Sequence, residues 1–119
     1  YVCGNVEMKP WQGTFDTVVS LETIEHLQRP DLALALFRNS LMQGGKLVVS
    51  VPNEERYPFD AEKFAGDDYP HLRHYRPDEF EELLGICGFG VVEKRCQVSK
   101  KEPDVKPGTE GAFLVYVCE

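Results

Sequence analysis

The stretch FDTVVSLETIEHL, residues 15–27, followed by GGKLVVSVPN at residues 44–53, decides the fold. Phe15 to Leu21 is a β-branched apolar run of strand length, and Lys46 to Val51 is a second, nearly continuous one, closed by Pro52 and Asn53. Runs that are apolar at successive positions suit parallel strands buried on both faces. Between them, Pro30 at a first helical position and Asp31 in the first turn open a helix. Its Leu32, Leu36, Phe37 and Leu41 share one face, and Gly44-Gly45 are expected to stop it. Strand, helix, strand predicts a parallel pair joined by a right-handed crossover. Both strands release polar residues at their C-terminal ends, which is where open α/β sheets bind ligands.

Upstream, Tyr1 to Asn5 reads as the end of a strand and Lys9 to Thr14 as a loop; the opening at Tyr1 suggests a lost or absent upstream segment. Downstream, residues 54–75 show no period and scatter Tyr57, Phe59, Phe64, Tyr69, His71, His74 and Tyr75 among acids and prolines. Aperiodic stretches of this length are often binding loops, so a substrate-side loop is expected, with an irregular excursion as the plain alternative. Pro77, Asp78 and Glu79 open a second helix with Phe80, Leu83, Leu84 and Cys87 on one face. GICGFG at residues 85–90 follows that helix and reads as its stop and turn, not as a phosphate-binding loop. Phe89 to Val98 and Gly111 to Cys118 read as strands, and the polar link 99–110 joins them as an antiparallel hairpin.

The chain has 119 residues, 13 basic against 20 acidic, and a net charge of −7. That balance argues against a broad phosphate-binding surface, so nucleic acid is an unlikely partner and a small molecule is favoured. No apolar run approaches the length that spans a bilayer and no signal peptide opens the chain, which points to a cytoplasmic protein without a membrane partner. Cys3, Cys87, Cys96 and Cys118 lack CxxC spacing and read as free thiols, with a zinc site or disulfides as the alternative.

FDTVVSLETIEHL, GGKLVVSVPN and HLRHYRPDEFEELLGICGF (residues 71–89), taken in this order, resemble the C-terminal portion of class I S-adenosylmethionine-dependent methyltransferases, specifically the type 11, 12 and 23 groups. The resemblance implies that residues 1–119 are the C-terminal part of a single methyltransferase domain. The implied fold is a Rossmann-like α/β three-layer sheet, mostly parallel with an antiparallel edge hairpin, lacking the N-terminal strands and helices. It implies S-adenosylmethionine as cofactor, with Asn5 and Val6 at the adenine and Ser20, Leu21 and Glu22 beside the methionine portion. The family usually has an aspartate where this chain has Asn5, and an amide retains hydrogen-bonding capacity there. The family's glycine-rich loop and ribose-binding acidic residue have no counterpart in the sequence.

Methyl transfer requires an acceptor held in line and, for a hydroxyl, relieved of its proton. Glu22, Glu25 and His26 would share one face of a helix at the strand's C-terminal edge. His26 is the candidate base or pocket-lining donor, with Glu25 as its catalytic companion. Alternatively, Glu22, Glu25, His26 and His71 bind a divalent metal, a pattern similar to that of small-RNA 3′-terminal 2′-O-methyltransferases; the metal is the less favoured reading. In the plain reading, Glu25 and His26 cap and pack. Asn53, His71, His74 and Tyr75 are the candidate substrate residues. The expected function is methyl transfer to an oxygen, nitrogen or carbon of a small molecule, with the RNA-type enzyme and a truncated non-catalytic binding or structural module as alternatives. An unpaired apolar edge on the strand at Phe15 predicts self-association.

Overall fold

The computed structural model describes residues 4–5 and 12–119 of the chain. Strand β1 (Phe15–Leu21) leads through a single 3₁₀ turn (Ile24–His26) to helix α1 (Pro30–Ser40) and strand β2 (Leu41–Pro52). The short helix α2 (Ala61–Phe64), helix α3 (Pro77–Ile86) and strands β3 (Val91–Ser99), β4 (Glu102–Pro107) and β5 (Phe113–Cys118) follow. The five strands form one sheet in the order β1-β2-β5-β3-β4. As expected, β1 and β2 are parallel. The other three pairings, β2 with β5, β5 with β3 and β3 with β4, are antiparallel.

The sheet is therefore mixed, which corrects the expectation of a mostly parallel one. The final strand is antiparallel as predicted, yet it is no edge. It inserts between β2 and β3, and its alternate residues Leu114, Tyr116 and Cys118 are fully buried. The edge belongs to β4, inside the stretch that reads as a polar link. Pro103 and Pro107 suggested loop; both are tolerated in an edge strand, where a missing N–H disrupts no inner ladder.

The core lies on one face of the sheet. Leu47, Val49 and Val51 of β2 and the buried residues of β5 pack beneath Ala33 and Leu34 of α1 and Phe80 and Leu84 of α3. On the opposite face of β1, Val19 and Leu21 are 61% and 56% exposed. Helices α1 and α3 both pack on this core, while Tyr57 and His71 of the 54–75 segment meet Leu21, Phe113 and Val115 at a cavity. The α3 face is as the spacing predicts, whereas α1 buries Pro30, Ala33 and Leu34 and leaves Leu32 exposed.

Gly44-Gly45 do not stop α1. The helix ends at Ser40, whose hydroxyl donates back to the Leu36 carbonyl at 2.7 Å. Leu41 already pairs with Phe15, and the next pair is Thr17 with Lys46, so residues 42–45 form a bulge within β2. Gly44 has a φ of 77°, and a Cβ on Gly45 would lie 2.9 Å from the Met42 carbonyl and 3.0 Å from that of Asp16. Glycine is needed at both positions, one for conformation and one for close approach of the strands.

Candidate functional site

At the C-terminal end of β1 the chain turns sharply. Glu22 has a φ of 46°, a left-handed conformation that costs a non-glycine residue roughly 1–3 kcal/mol and persists only when its surroundings enforce it. Ser50 of β2 provides that enforcement. Its hydroxyl donates to Glu22 Oε1 at 2.8 Å and accepts from the Glu22 amide at 3.0 Å. Leu21, Glu22 and Ser50 form one wall of a cavity of about 640 Å³, closed by Tyr57 and His71 from the 54–75 segment, by Gln97 and Lys100 at the end of β3, and by Val105, Phe113 and Val115. The volume suits a small organic ligand. Burial raises the Glu22 pKa, and the Ser50 hydrogen bond opposes the rise.

Behind this wall sits a cluster that only the tertiary fold assembles. Glu25 is completely buried, and neither of its carboxyl oxygens has a hydrogen-bond partner. Its Oε1 lies 3.7 Å from His26 Nε2 and 4.0 Å from His71 Nε2. These are ion-pair separations, yet burial pushes the Glu25 pKa up to about 8 and that of His71 down to about 4. Burial thus drives both groups toward their neutral forms, and the contact is not a salt bridge. His26 Nδ1 lies 3.1 Å from the Pro70 carbonyl. A carbonyl only accepts, so Nδ1 carries a proton, and in the neutral ring Nε2 faces Glu25 as a bare lone pair. The ligating atoms of Glu25, His26 and His71 all lie within 4.8 Å of one another, the spacing of a cation site. Glu22 is not part of this group, since its carboxylate is held at the cavity wall.

The segment 54–75 is folded around its own aromatic side chains. Asp60 caps α2 by accepting from the Glu62 and Lys63 amides. Phe64 stacks on His71 with centroids 4.2 Å apart and planes at 12°, while Tyr57 leans on His74 at 4.8 Å. The segment returns to the sheet through a bridge between Asn53 and Tyr75.

The remaining sequence-derived candidates are dispersed. Leu21 and Glu22 line the cavity, but the buried Ser20 pairs opposite Val49 on the core side of the sheet. Asn5 is exposed in an irregular stretch; Val6, Cys3 and Trp11 lie outside the described residues. Asn53 is fully buried, its amide donating to the carbonyls of Thr109 (3.0 Å) and Gly111 (2.8 Å) and its oxygen accepting from the Glu55 amide (3.0 Å). That side chain anchors the connection into β5 and does not line the cavity. His74 and Tyr75 border a separate cavity of about 540 Å³ with Arg29, Asp31 and Arg73. Sequence reasoning missed Ser50, Gln97 and Lys100, and gave Tyr57 only as one of the aromatic residues of the expected substrate-side loop. Of the three missed, only Ser50 left a signal, as the polar residue within the apolar run 47–51. Cys96 and Cys118 are buried free thiols, and Cys87 is a half-buried one. No helix among the described residues is long and apolar enough to cross a membrane.

Residues 5–94 match the family model described as a methyltransferase domain. Among solved structures, the chain is similar to a SAM-dependent methyltransferase of Thermotoga maritima, described as a possible histamine N-methyltransferase. The match has 25% identity and a TM-score of 0.80, and covers 97% of this chain and 61% of that one. The 1,6-didemethyltoxoflavin-N1-methyltransferase of Burkholderia thailandensis, with 1,6-didemethyltoxoflavin and S-adenosylhomocysteine bound, matches with a TM-score of 0.70 at 20% identity, over 98% of this chain and 48% of that one. The CcbJ methyltransferase of Streptomyces caelestis matches with a TM-score of 0.73 at 16% identity, over 99% and 62%. The last two likenesses concern the fold alone. The chain thus spans about three fifths of the length of the Thermotoga protein. No curated protein matches the sequence.

Proposed function

The chain belongs to the methyltransferase-domain family, and on that premise we propose that it serves S-adenosylmethionine-dependent methyl transfer to an oxygen, nitrogen or carbon of a small molecule. The observation that carries this reading is the cavity at the C-terminal edge of the parallel pair, with Glu22 and His71 in its wall and Glu25 and His26 behind it. Its apolar side chains and single carboxylate fit the methionine end of the cofactor, which Leu21 and Glu22 would hold. When bound, the cofactor supplies an electrophilic methyl group on sulfur. The chain's own task is to hold the acceptor in line and to receive its proton. In its neutral form His26 has its lone pair on Nε2 and would take the proton that an acceptor hydroxyl gives up as it gains the methyl group, reached from the cavity past His71, which lines it. Glu25 beside it, itself neutral in the resting protein, would offer only a carbonyl oxygen to the imidazolium so formed. The 54–75 segment, through Tyr57 and His71, forms the acceptor side.

Isothermal titration with S-adenosylhomocysteine tests the proposal. Saturable binding that weakens in Glu22→Ala is expected; no binding at any concentration would overturn the enzymatic reading for this chain and favour a non-catalytic module.

A second reading is favoured by one observation, the fully buried Glu25 carboxyl without a hydrogen-bond partner. A divalent cation held by Glu25, His26 and His71 would supply the missing partner and lower the pKa of an acceptor hydroxyl. The net charge of −7 makes a small hydroxylated acceptor preferable to RNA in this reading as well. Repeating the titration with manganese separates the two: binding of manganese that is lost in Glu25→Ala supports the cation, and its absence in the wild type excludes it.

A further inference from the structure

We infer that His74 is a positioning residue: it fixes the tautomer of His71, a residue of the cavity wall, so that His71 presents a bare Nε2 to Glu25. His74 Nδ1 lies 2.6 Å from the Tyr57 carbonyl oxygen. A carbonyl has no proton to give, so His74 Nδ1 donates. The His74 side chain has no exposed surface and is enclosed by the rings of Tyr57, Phe59 and Phe64. Full enclosure opposes the charged imidazolium, which leaves one proton for the ring, already on Nδ1. Its Nε2 is therefore an acceptor.

The other end of the 2.7 Å contact to that Nε2 is His71 Nδ1, which must then carry a proton and donate it. Neutral His71 consequently has its lone pair on Nε2, the atom that faces Glu25 Oε1 at 4.0 Å. His71 cannot turn away from this arrangement, because Phe64 stacks on one face and His26 meets it edge-on at 4.6 Å. The groups bearing on His74 from neighbouring elements are Glu54, whose Oε2 is 4.0 Å from Nδ1 but accepts from the Phe59 amide at 2.8 Å, and Lys63. The pair acts oppositely on the ring's charge. The result matches His26, whose Nδ1 is engaged by the Pro70 carbonyl: two backbone carbonyls, one directly and one through His74, orient two lone pairs toward the same carboxyl group. Around metal-bound histidines, outer hydrogen bonds of this kind set ring orientation and basicity, and their loss typically costs about 10–100-fold in metal affinity or activity; a loss of the same order is expected for His71.

The tautomer stands on geometry alone, and its chemical purpose rests on the methyl-transfer reading. The chain has three histidines, so ¹⁵N–¹H spectra of the imidazoles near neutral pH are assignable from Glu25- and His26-side substitutions and report each ring's tautomer directly. The expected result is a proton on Nδ1 and none on Nε2 for His71. His74→Gln, whose amide oxygen can occupy the acceptor position, should retain that pattern. His74→Phe, which fills the space without an acceptor, should lose it and lower kcat about 10–100-fold with little change in KM for the cofactor. A wild-type His71 protonated at Nε2, or an unchanged tautomer in His74→Phe, overturns the inference, and the wild-type spectrum decides even where a variant fails to fold. A fixed tautomer in a chain that transfers no methyl group would uphold the positioning and refute only the enzymatic reading.

Discussion

Replacing Glu25 by Gln isolates the cost of the buried carboxyl. In the metal-free protein the acid has a pKa of about 8 against an ordinary value of 4.5, because burial removes its solvation and no hydrogen bond replaces it. Below pH 4.5 the group is protonated in both folded and unfolded chains and contributes no pH dependence. Between the two values the unfolded chain releases the proton while the folded chain keeps it, so stability falls as pH rises and levels off above the folded value. Each pH unit in that window is worth about 1.36 kcal/mol, and at pH 7 the wild type therefore carries a penalty of roughly 3 kcal/mol relative to the same fold with a neutral side chain. Gln has nearly the same shape, does not ionise, and can donate to the bare His26 Nε2. Glu25→Gln should thus be similar to wild type at pH 4.5 and more stable at pH 7 by about that amount, moving the urea midpoint up by roughly 1–3 M for typical slopes. The assay is urea unfolding from pH 4.5 to 8.5 in the presence of a chelator. A constant difference between the two proteins across this range, or a Gln variant less stable at pH 7, would refute the reasoning. Manganese added without chelator should close the gap by stabilising wild type only, if the cation reading holds.

Three further outcomes are expected. Asn53→Ala removes two donated hydrogen bonds and one accepted one, leaving buried carbonyls unsatisfied, and should destabilise the fold by roughly 2–3 kcal/mol in urea unfolding. Ser50→Ala frees the strained Glu22 turn, so S-adenosylhomocysteine affinity should fall about tenfold, near the worth of one charge-assisted hydrogen bond, as read by titration calorimetry. The outer edge of β1 has no strand partner among the described residues, and Val19 beside it is exposed. Sedimentation should show concentration-dependent self-association that Val19→Lys suppresses, since a charge on an edge strand opposes pairing with another chain.

The parallel β1-α1-β2 unit, the face of α3 and the family were legible in the sequence, because continuous apolar runs, helical spacing and Pro at a first turn act through neighbours a few residues away. Leu21, Glu22 and His71 were legible as site candidates for the same reason: they follow a strand end or sit in an aperiodic loop. What the pattern could not convey was pairing. Whether β5 lies at an edge or between β2 and β3 depends on which strands offer it a ladder on both sides, and the prolines of β4 are compatible with loop and edge strand alike. The Gly44-Gly45 bulge likewise follows from how closely β1 approaches β2, not from the glycines themselves. The site shows the same division. The sequence by itself determined that acids and histidines cluster near the end of β1. Only the tertiary structure brought His71 to Glu25 and the Pro70 carbonyl to His26, and spent Asn53 on the chain leading into β5. Hydrogen-bond partners and burial of a polar group are set by segments distant in sequence, and the protonation and tautomer on which the chemistry depends are set by those partners.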